Sequence, residues 1–166
     1  MRVVEEQGKL VISDFNELEA YKIAVKIEED GIGFYKKLLE KSFFNKAKEI
    51  LSFLLNEEKK HLKFFEGCIA ALRKTKEDSF EEDNLLKDID YGIFSPYADL
   101  KDLEKKIDAA RKALKLGLII EDNSIKFYAL CREKVSNSQV KKEISAIIEE
   151  ERKHKIFIQD LIDTLP

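Results

Sequence analysis

Two short strings carry the residues most able to do chemistry: Glu58-Lys59-Lys60-His61 and Glu151-Arg152-Lys153-His154. They hold both histidines of the 166-residue chain. Each histidine follows a glutamate by three positions. On a helix that spacing puts a carboxylate and an imidazole on one face. Glu28 lies 30 residues before Glu58, and Glu121 lies 30 before Glu151. The two sets are related by a constant offset of 93 residues, without a gap. Four carboxylates and two imidazoles form a hard oxygen–nitrogen donor set of the kind that binds divalent metal ions.

The elements that must position these residues are helices. Few glycines and prolines (6 and 2) and a composition 38% charged and 44% hydrophobic favour long helical segments. Residues 1–13 read as a short tail or strand-like lead, after which Ser13 or Asp14 caps a first helix over about 14–41. Its apolar positions, among them Leu18, Tyr21, Ala24, Val25 and Tyr35, recur at helical spacing, and Glu28 falls on the same face. A second helix over about 46–75 has the face Leu51, Leu54, Leu55, Glu58, His61, Leu62 and Phe65. Asp108 is placed to cap a third helix to about 135, with Leu114, Glu121, Ser124 and Tyr128 on its face. A fourth, about 139–163, carries Ile144, Ile147, Ile148, Glu151, His154 and Ile158. Between the second and third lies a stretch of different texture, about 76–107. Its acidic run and its Tyr91–Tyr97 segment leave room for short helical turns near 82–90 and 99–106.

Sliding the chain by 93 residues superposes Ala-x-Lys-x-x-x-x-Ile-Glu-x-x-x-Ile-x-Phe-Tyr at 20–35 on 113–128. The same shift superposes Ser-x-x-x-x-Glu-Glu-x-Lys-His-x-x-Phe at 52–64 on 145–157. Chance placement of glutamate at all four matched positions is roughly a one-in-several-thousand accident. The expected architecture is therefore all-α: two repeated helical hairpins packed as an antiparallel four-helix bundle, a single domain over 1–166, with the long crossover between helices 2 and 3. In such a core four carboxylates repel one another, and no Lys or Arg occupies a matching inward position. Two divalent cations would cancel the four charges.

On these motifs (Ile27-Glu28-x-x-Gly31-x-x-Phe34-Tyr35, Glu58-x-x-His61, Ile120-Glu121-x-x-Ser124-x-x-Phe127-Tyr128 and Glu151-x-x-His154) the chain resembles the rubrerythrin branch of the ferritin-like superfamily over about 14–163. A glutamate from each of two helices and Glu-x-x-His from each of the other two is the ligand pattern of ferritin-like di-iron and di-manganese proteins. The resemblance implies two iron ions, with manganese or zinc also compatible with the donors. The implied ligands are Glu28, Glu58, His61, Glu121, Glu151 and His154, with Glu58 and Glu151 as bridges. It implies an oxidoreductase that reduces hydrogen peroxide or oxygen, supplied by a separate electron donor such as a rubredoxin-like protein. The alternative is ferroxidase-type iron binding or storage.

Two departures bear on that expectation. Rubrerythrins proper carry a further glutamate three residues beyond the third-helix ligand, where this chain has Ser124, which bears on their redox-linked ligand switch. They also usually carry a domain with paired CxxC motifs. Here Cys68 and Cys131 lack that spacing and read as buried thiols.

Smaller features carry expectations of their own. Tyr35 and Tyr128 fill the core or bond a ligand carboxylate. Glu57 and Glu150 are solvated or orient a histidine. Gly31 and Ser124 allow close helix packing or leave room beside the metals. Ile23, Ile27 and Phe34, with Leu116, Ile120 and Phe127, form second apolar stripes that must be covered by the crossover or by another subunit, and a homodimer is expected. The net charge of -3 and a pI near 5.6 argue against nucleic acid. No apolar run approaches the roughly 18 residues of a membrane helix, and no secretory signal is visible, so a cytoplasmic location is expected.

Overall fold

Asn16 starts the helical part of the chain through a reciprocal cap. Its side-chain Oδ1 accepts from the Glu19 backbone N–H at 2.9 Å, and the Glu19 carboxylate accepts from the Asn16 N–H at 2.8 Å. That exchange satisfies two amides that the first helical turn leaves open. It moves the start of the helix past the expected Ser13 or Asp14. Ser13 instead ends a strand, and residue 14 lies outside the described residues.

The structure is a computed structural model that describes residues 2–6, 9–13, 15–41, 45–75 and 106–164. Within these, β1 (Arg2–Glu6) pairs antiparallel with β2 (Lys9–Ser13), with Val4 opposite Val11. The lead is thus a hairpin, an addition to the all-α expectation, which holds for the bundle. Four helices follow: α1 (Glu17–Lys41), α2 (Asn45–Thr75), α3 (Lys106–Lys134) and α4 (Ser138–Thr164). α3 begins two residues before the expected Asp108, which lies inside the first turn. Asn137 caps α4, its Oδ1 accepting from the Gln139 and Val140 amides. The expected crossover and its short helical turns fall almost entirely in 76–105, outside the described residues.

α1 packs on α2 and α3 on α4, as hairpins. The hairpins meet through α1 against α3 and α2 against α4. The pairing across α1 and α3 fixes their direction. Tyr35 reaches Glu121 while Tyr128 reaches Glu28. Glu and Tyr are seven residues apart in each helix, about 10 Å along the axis. Parallel helices would put each tyrosine about that far from its glutamate, so α1 and α3 run antiparallel. The pseudo-twofold relating the hairpins is therefore perpendicular to the bundle. α2 and α3 run in the same direction, so the end of α2 and the start of α3 lie at opposite ends of the bundle.

The second stripes of α1 and α3 are buried within this chain. Ile23, Ile27, Phe34, Ile120 and Phe127 belong to the core, and Leu116 is half-buried against it. Phe34 lies where a Cβ on Gly117 would come within 3.3 Å of its ring, so glycine at 117 is what admits it. The Phe127 ring stacks on Phe15 at 5.8 Å. With this packing the stripes no longer argue for a partner subunit.

Candidate metal centre

Glu28, Glu58, His61, Glu121, Glu151 and His154 are each 5% exposed or less. Four helices each deliver their residues to one level of the bundle. The ligand atoms of Glu28, Glu58, His61 and Glu151 all lie within 4.8 Å of one another, and so do those of Glu58, Glu121, Glu151 and His154. The two groups share Glu58 and Glu151. The geometry of Glu151 shows the sharing directly. Its Oε1 lies 3.2 Å from His61 Nδ1 and its Oε2 lies 2.8 Å from His154 Nδ1. His154 Nδ1 is also 3.5 Å from Glu58 Oε1, and the two imidazole rings face each other at 5.9 Å.

These contacts are short but poorly aligned for hydrogen bonding. Glu28 Oε2, Glu58 Oε1, His61 Nδ1, Glu151 Oε2 and His154 Nδ1 are buried without a hydrogen-bond partner. Orphaned buried polar atoms cost several kcal/mol together, on the order of 1–3 kcal/mol each. Five of them converging in one place, three carboxylate oxygens and two imidazole nitrogens, is the arrangement a pair of bound cations would satisfy. The donor set fits the metals that its residue types imply.

Around the six residues a second layer fixes their orientation. The Tyr35 hydroxyl donates to Glu121 Oε1, and the Tyr128 hydroxyl donates to Glu28 Oε1. Each tyrosine thus holds a carboxylate of the other hairpin. His61 Nε2 bonds Glu150 at 2.9 Å, which leaves Nδ1 for the centre. The symmetry breaks here. Glu57, the counterpart of Glu150, pairs with Lys60 on its own helix at 2.5 Å, and the His154 ring instead lies edge-on to Phe53. Gly31 serves close approach: a Cβ there would sit 3.0 Å from Glu58 Oε2. Its counterpart Ser124 is buried beside Glu121. Loss of the Tyr128 hydroxyl should be felt at the centre, since partners of metal-ligating groups commonly contribute roughly 10–100-fold in metal affinity. Tyr128→Phe is expected to weaken metal binding by about that factor in a titration, with the helical content unchanged.

Without metal, the cluster holds protons. Burial and the neighbouring Glu58 keep the Glu28 carboxyl well above the carboxylate range. Burial and Glu151 push Glu121 up to about 8. For His61, burial lowers the pKa, but Glu151 and Glu58 outweigh it and raise it to about 9. The same opposition, with Glu121, Glu151 and Glu58 prevailing, takes His154 to about 12. Glu151 goes the other way: burial and Glu58 oppose its charge, and the two histidines prevail and lower its pKa.

The raised groups stabilise the metal-free fold fully below their unfolded values, 4.5 for glutamate and 6.5 for histidine. That contribution is lost as pH rises through about 8 for Glu121 and about 9 for His61. Glu151 contributes in the opposite sense, above 4.5. The metal-free protein should therefore melt at a lower temperature at pH 9 than at pH 6.5. Metal affinity should increase over the same interval, because binding displaces these protons. Thermal melts of chelated protein across that range check the sign.

Comparison with known proteins agrees with this construction. A family model described as Rubrerythrin matches residues 2–69, which span the hairpin, α1 and the Glu58–His61 string. No match is found among curated proteins. Among solved structures, a crystal structure from Thermotoga maritima, described as a ferritin-like diiron-carboxylate protein, superposes with a TM-score of 0.72. It covers 93% of this chain and 99% of its own at 19% identity, a likeness of fold. The second hairpin lies outside that match and repeats, at an offset of 93 residues, the glutamates and histidine of the first.

Every site residue expected from the sequence is brought into the cluster. The two tyrosines prove to be hydrogen-bonding partners of the carboxylates, a role the spacing allowed without deciding. Glu150 orients a histidine where a solvated position was the simpler reading. No described helix is long and apolar enough to cross a membrane.

Proposed function

We propose that this rubrerythrin-like chain of ferritin-like fold is a di-iron carboxylate oxidoreductase that reduces hydrogen peroxide or oxygen. The observation that carries the reading is the pair of four-residue groups sharing Glu58 and Glu151. A shared pair of carboxylates couples two metal positions, and two coupled irons can each supply one electron to a two-electron oxidant. Glu28, Glu58, His61 and Glu151 would hold one iron, and Glu58, Glu121, Glu151 and His154 the other.

The chain's own residues have four tasks in this scheme. The glutamates supply hard anionic oxygens that favour the ferric state. Tyr35 and Tyr128 fix the two unshared carboxylates by donating to them. Glu150 holds His61 in the tautomer that leaves Nδ1 free. The apolar helix faces keep bulk water from the centre. Electrons for further turnovers come from a separate donor in this proposal, since Cys68 and Cys131 are not arranged as paired CxxC motifs.

Ferroxidase-type binding or storage is the second reading, and the same ligand set serves it. The two separate on rate. Anaerobically reduced, iron-loaded protein mixed in a stopped-flow with peroxide, and separately with oxygen, is expected to oxidise faster with peroxide, consuming one peroxide per pair of irons. A peroxide rate no greater than the oxygen rate would favour the ferroxidase reading and leave the dinuclear centre standing.

A further inference from the structure

One end of the bundle carries an aromatic stack that the pseudo-symmetry does not repeat. The Tyr128 hydroxyl donates to Glu28 in the centre. Its ring stacks on Phe65 at 5.3 Å, nearly parallel, and Phe65 meets Tyr21 at 6.5 Å. The Tyr21 hydroxyl donates to Glu17 Oε1 at 2.8 Å. Tyr21 and Glu17 line a pocket of about 470 Å³ open to solvent, whose wall also includes the half-buried thiol of Cys68. All three rings are buried.

The offset of 93 residues supplies an internal comparison. Tyr35 is the counterpart of Tyr128, but the counterparts of Phe65, Tyr21 and Cys68 are Ile158, Leu114 and Leu161. These are buried aliphatic residues. Both sets of positions are filled, so packing alone does not call for rings at Phe65 and Tyr21 where Ile158 and Leu114 serve in the repeat. Among the described residues, the rings of Phe65 and Tyr21 continue a run of oxidisable or polarisable groups outward from Tyr128, whereas their counterparts Ile158 and Leu114 do not continue one from Tyr35. The run through Tyr128 leads from a carboxylate of the centre to a solvent-open pocket, with a proton acceptor at each phenol.

We propose that Tyr128, Phe65 and Tyr21 form a relay that carries oxidising equivalents from the centre out to the pocket at Cys68. The inference rests on the oxidative reading above. The oxidant is hydrogen peroxide in excess over what the irons can reduce; each peroxide takes two electrons and two protons to become two waters, so two equivalents pass outward in turn. Tyr128 gives one electron inward while its phenolic proton shifts to Glu28. Tyr21 refills Tyr128 through Phe65, the proton returns to Tyr128, and the Tyr21 proton passes to Glu17. For the first equivalent the Tyr21 radical is restored by a hydrogen atom from Cys68, which breaks the S–H bond, re-forms the phenol and leaves the unpaired electron on Sγ, while Glu17 releases its proton to solvent; without a reductant the second equivalent rests on Tyr21. The damage is thereby moved from the buried ligands to a group that small thiols can reach and repair.

The test uses iron-loaded, reduced, full-length protein with excess peroxide and no reductant. It follows iron oxidation optically, tyrosyl radical by freeze-quench EPR, and spin-trap adducts by peptide mass spectrometry. The expected result is a tyrosyl signal with adducts at Tyr21 and Cys68. Tyr21→Phe should lose them, and so should Phe65→Leu, which installs an aliphatic side chain as at the other end. Iron oxidation should proceed in both variants. Normal iron oxidation with an undiminished signal in either variant, or with equal adducts at Tyr35, would overturn the relay alone. Cys68 modified equally in metal-free protein would overturn its place at the end of the path. Failure of peroxide to oxidise the iron would overturn the oxidative reading, and the relay with it.

Discussion

Glu58→Ala should remove the coupling between the two metal positions and reduce metal binding from two ions per chain to one or none. Glu58 belongs to both four-residue groups, so its loss takes a donor from each. His154 also loses the carboxylate oxygen 3.5 Å from its Nδ1. The effect should exceed the roughly 10–100-fold loss that follows removal of an outer partner. His61→Ala and His154→Ala, each touching one group, should leave a single position, and the double variant should bind neither ion as the wild type does. Glu29→Ala, an exposed neighbour of Glu28, should bind two. Metal analysis after desalting, paired with stopped-flow oxidation of the iron-loaded form, reads both consequences. The two-electron consumption of peroxide should disappear in Glu58→Ala even where one iron remains.

Removing the metal from the wild type should lower its melting temperature by on the order of 10 °C. Metal that binds the folded chain at about 1,000 times its Kd stabilises it by roughly 4 kcal/mol. In a domain of this size each kcal/mol moves the midpoint by about 2–4 °C. The physical source is the set of five unpartnered buried atoms and the repulsion among four carboxylates, relieved in the metal-free state only by taking up protons. The stabilisation by metal should therefore be larger at pH 9 than at pH 6.5. Calorimetry of chelated and reloaded protein at the two pH values checks both the size and the trend. An unchanged midpoint on chelation would mean that the glutamates do not share one centre.

The ligand set was readable because burial of charge is costly enough to be kept only for a reason. Glu28, Glu58, Glu121 and Glu151 interrupt apolar stripes at helical spacing, and the repeat doubles the signal. The helix order followed from the same periodicity. What the pattern could not supply was anything decided by rotamers or by contacts between distant segments. The exchange between Asn16 and Glu19 was written in the sequence as a capping pair, yet Ser13 and Asp14 compete for the same role on type alone. Glu57 and Glu150 occupy equivalent positions in the repeat, but Lys60 draws one away while the other reaches His61. The second apolar stripes called for a cover, by the crossover or by another subunit, because the pattern does not say which faces of the helices meet. Once α1 and α3 run antiparallel, Gly117 opens a place for Phe34 and the stripes close on the chain itself. The relay was invisible for a similar reason, since Tyr21, Phe65 and Tyr128 come from three helices and their stacking depends on the packed rings.

The central claim is that six side chains build one dinuclear centre. Anaerobic titration calorimetry of ferrous iron into metal-free protein, repeated in two buffers of different ionisation enthalpy, tests it most directly. Two irons should bind per chain with release of protons, because Glu28, Glu121, His61 and His154 hold them beforehand. Binding of fewer than two irons, or of two with no proton release and the same affinity in Glu58→Ala, would contradict it.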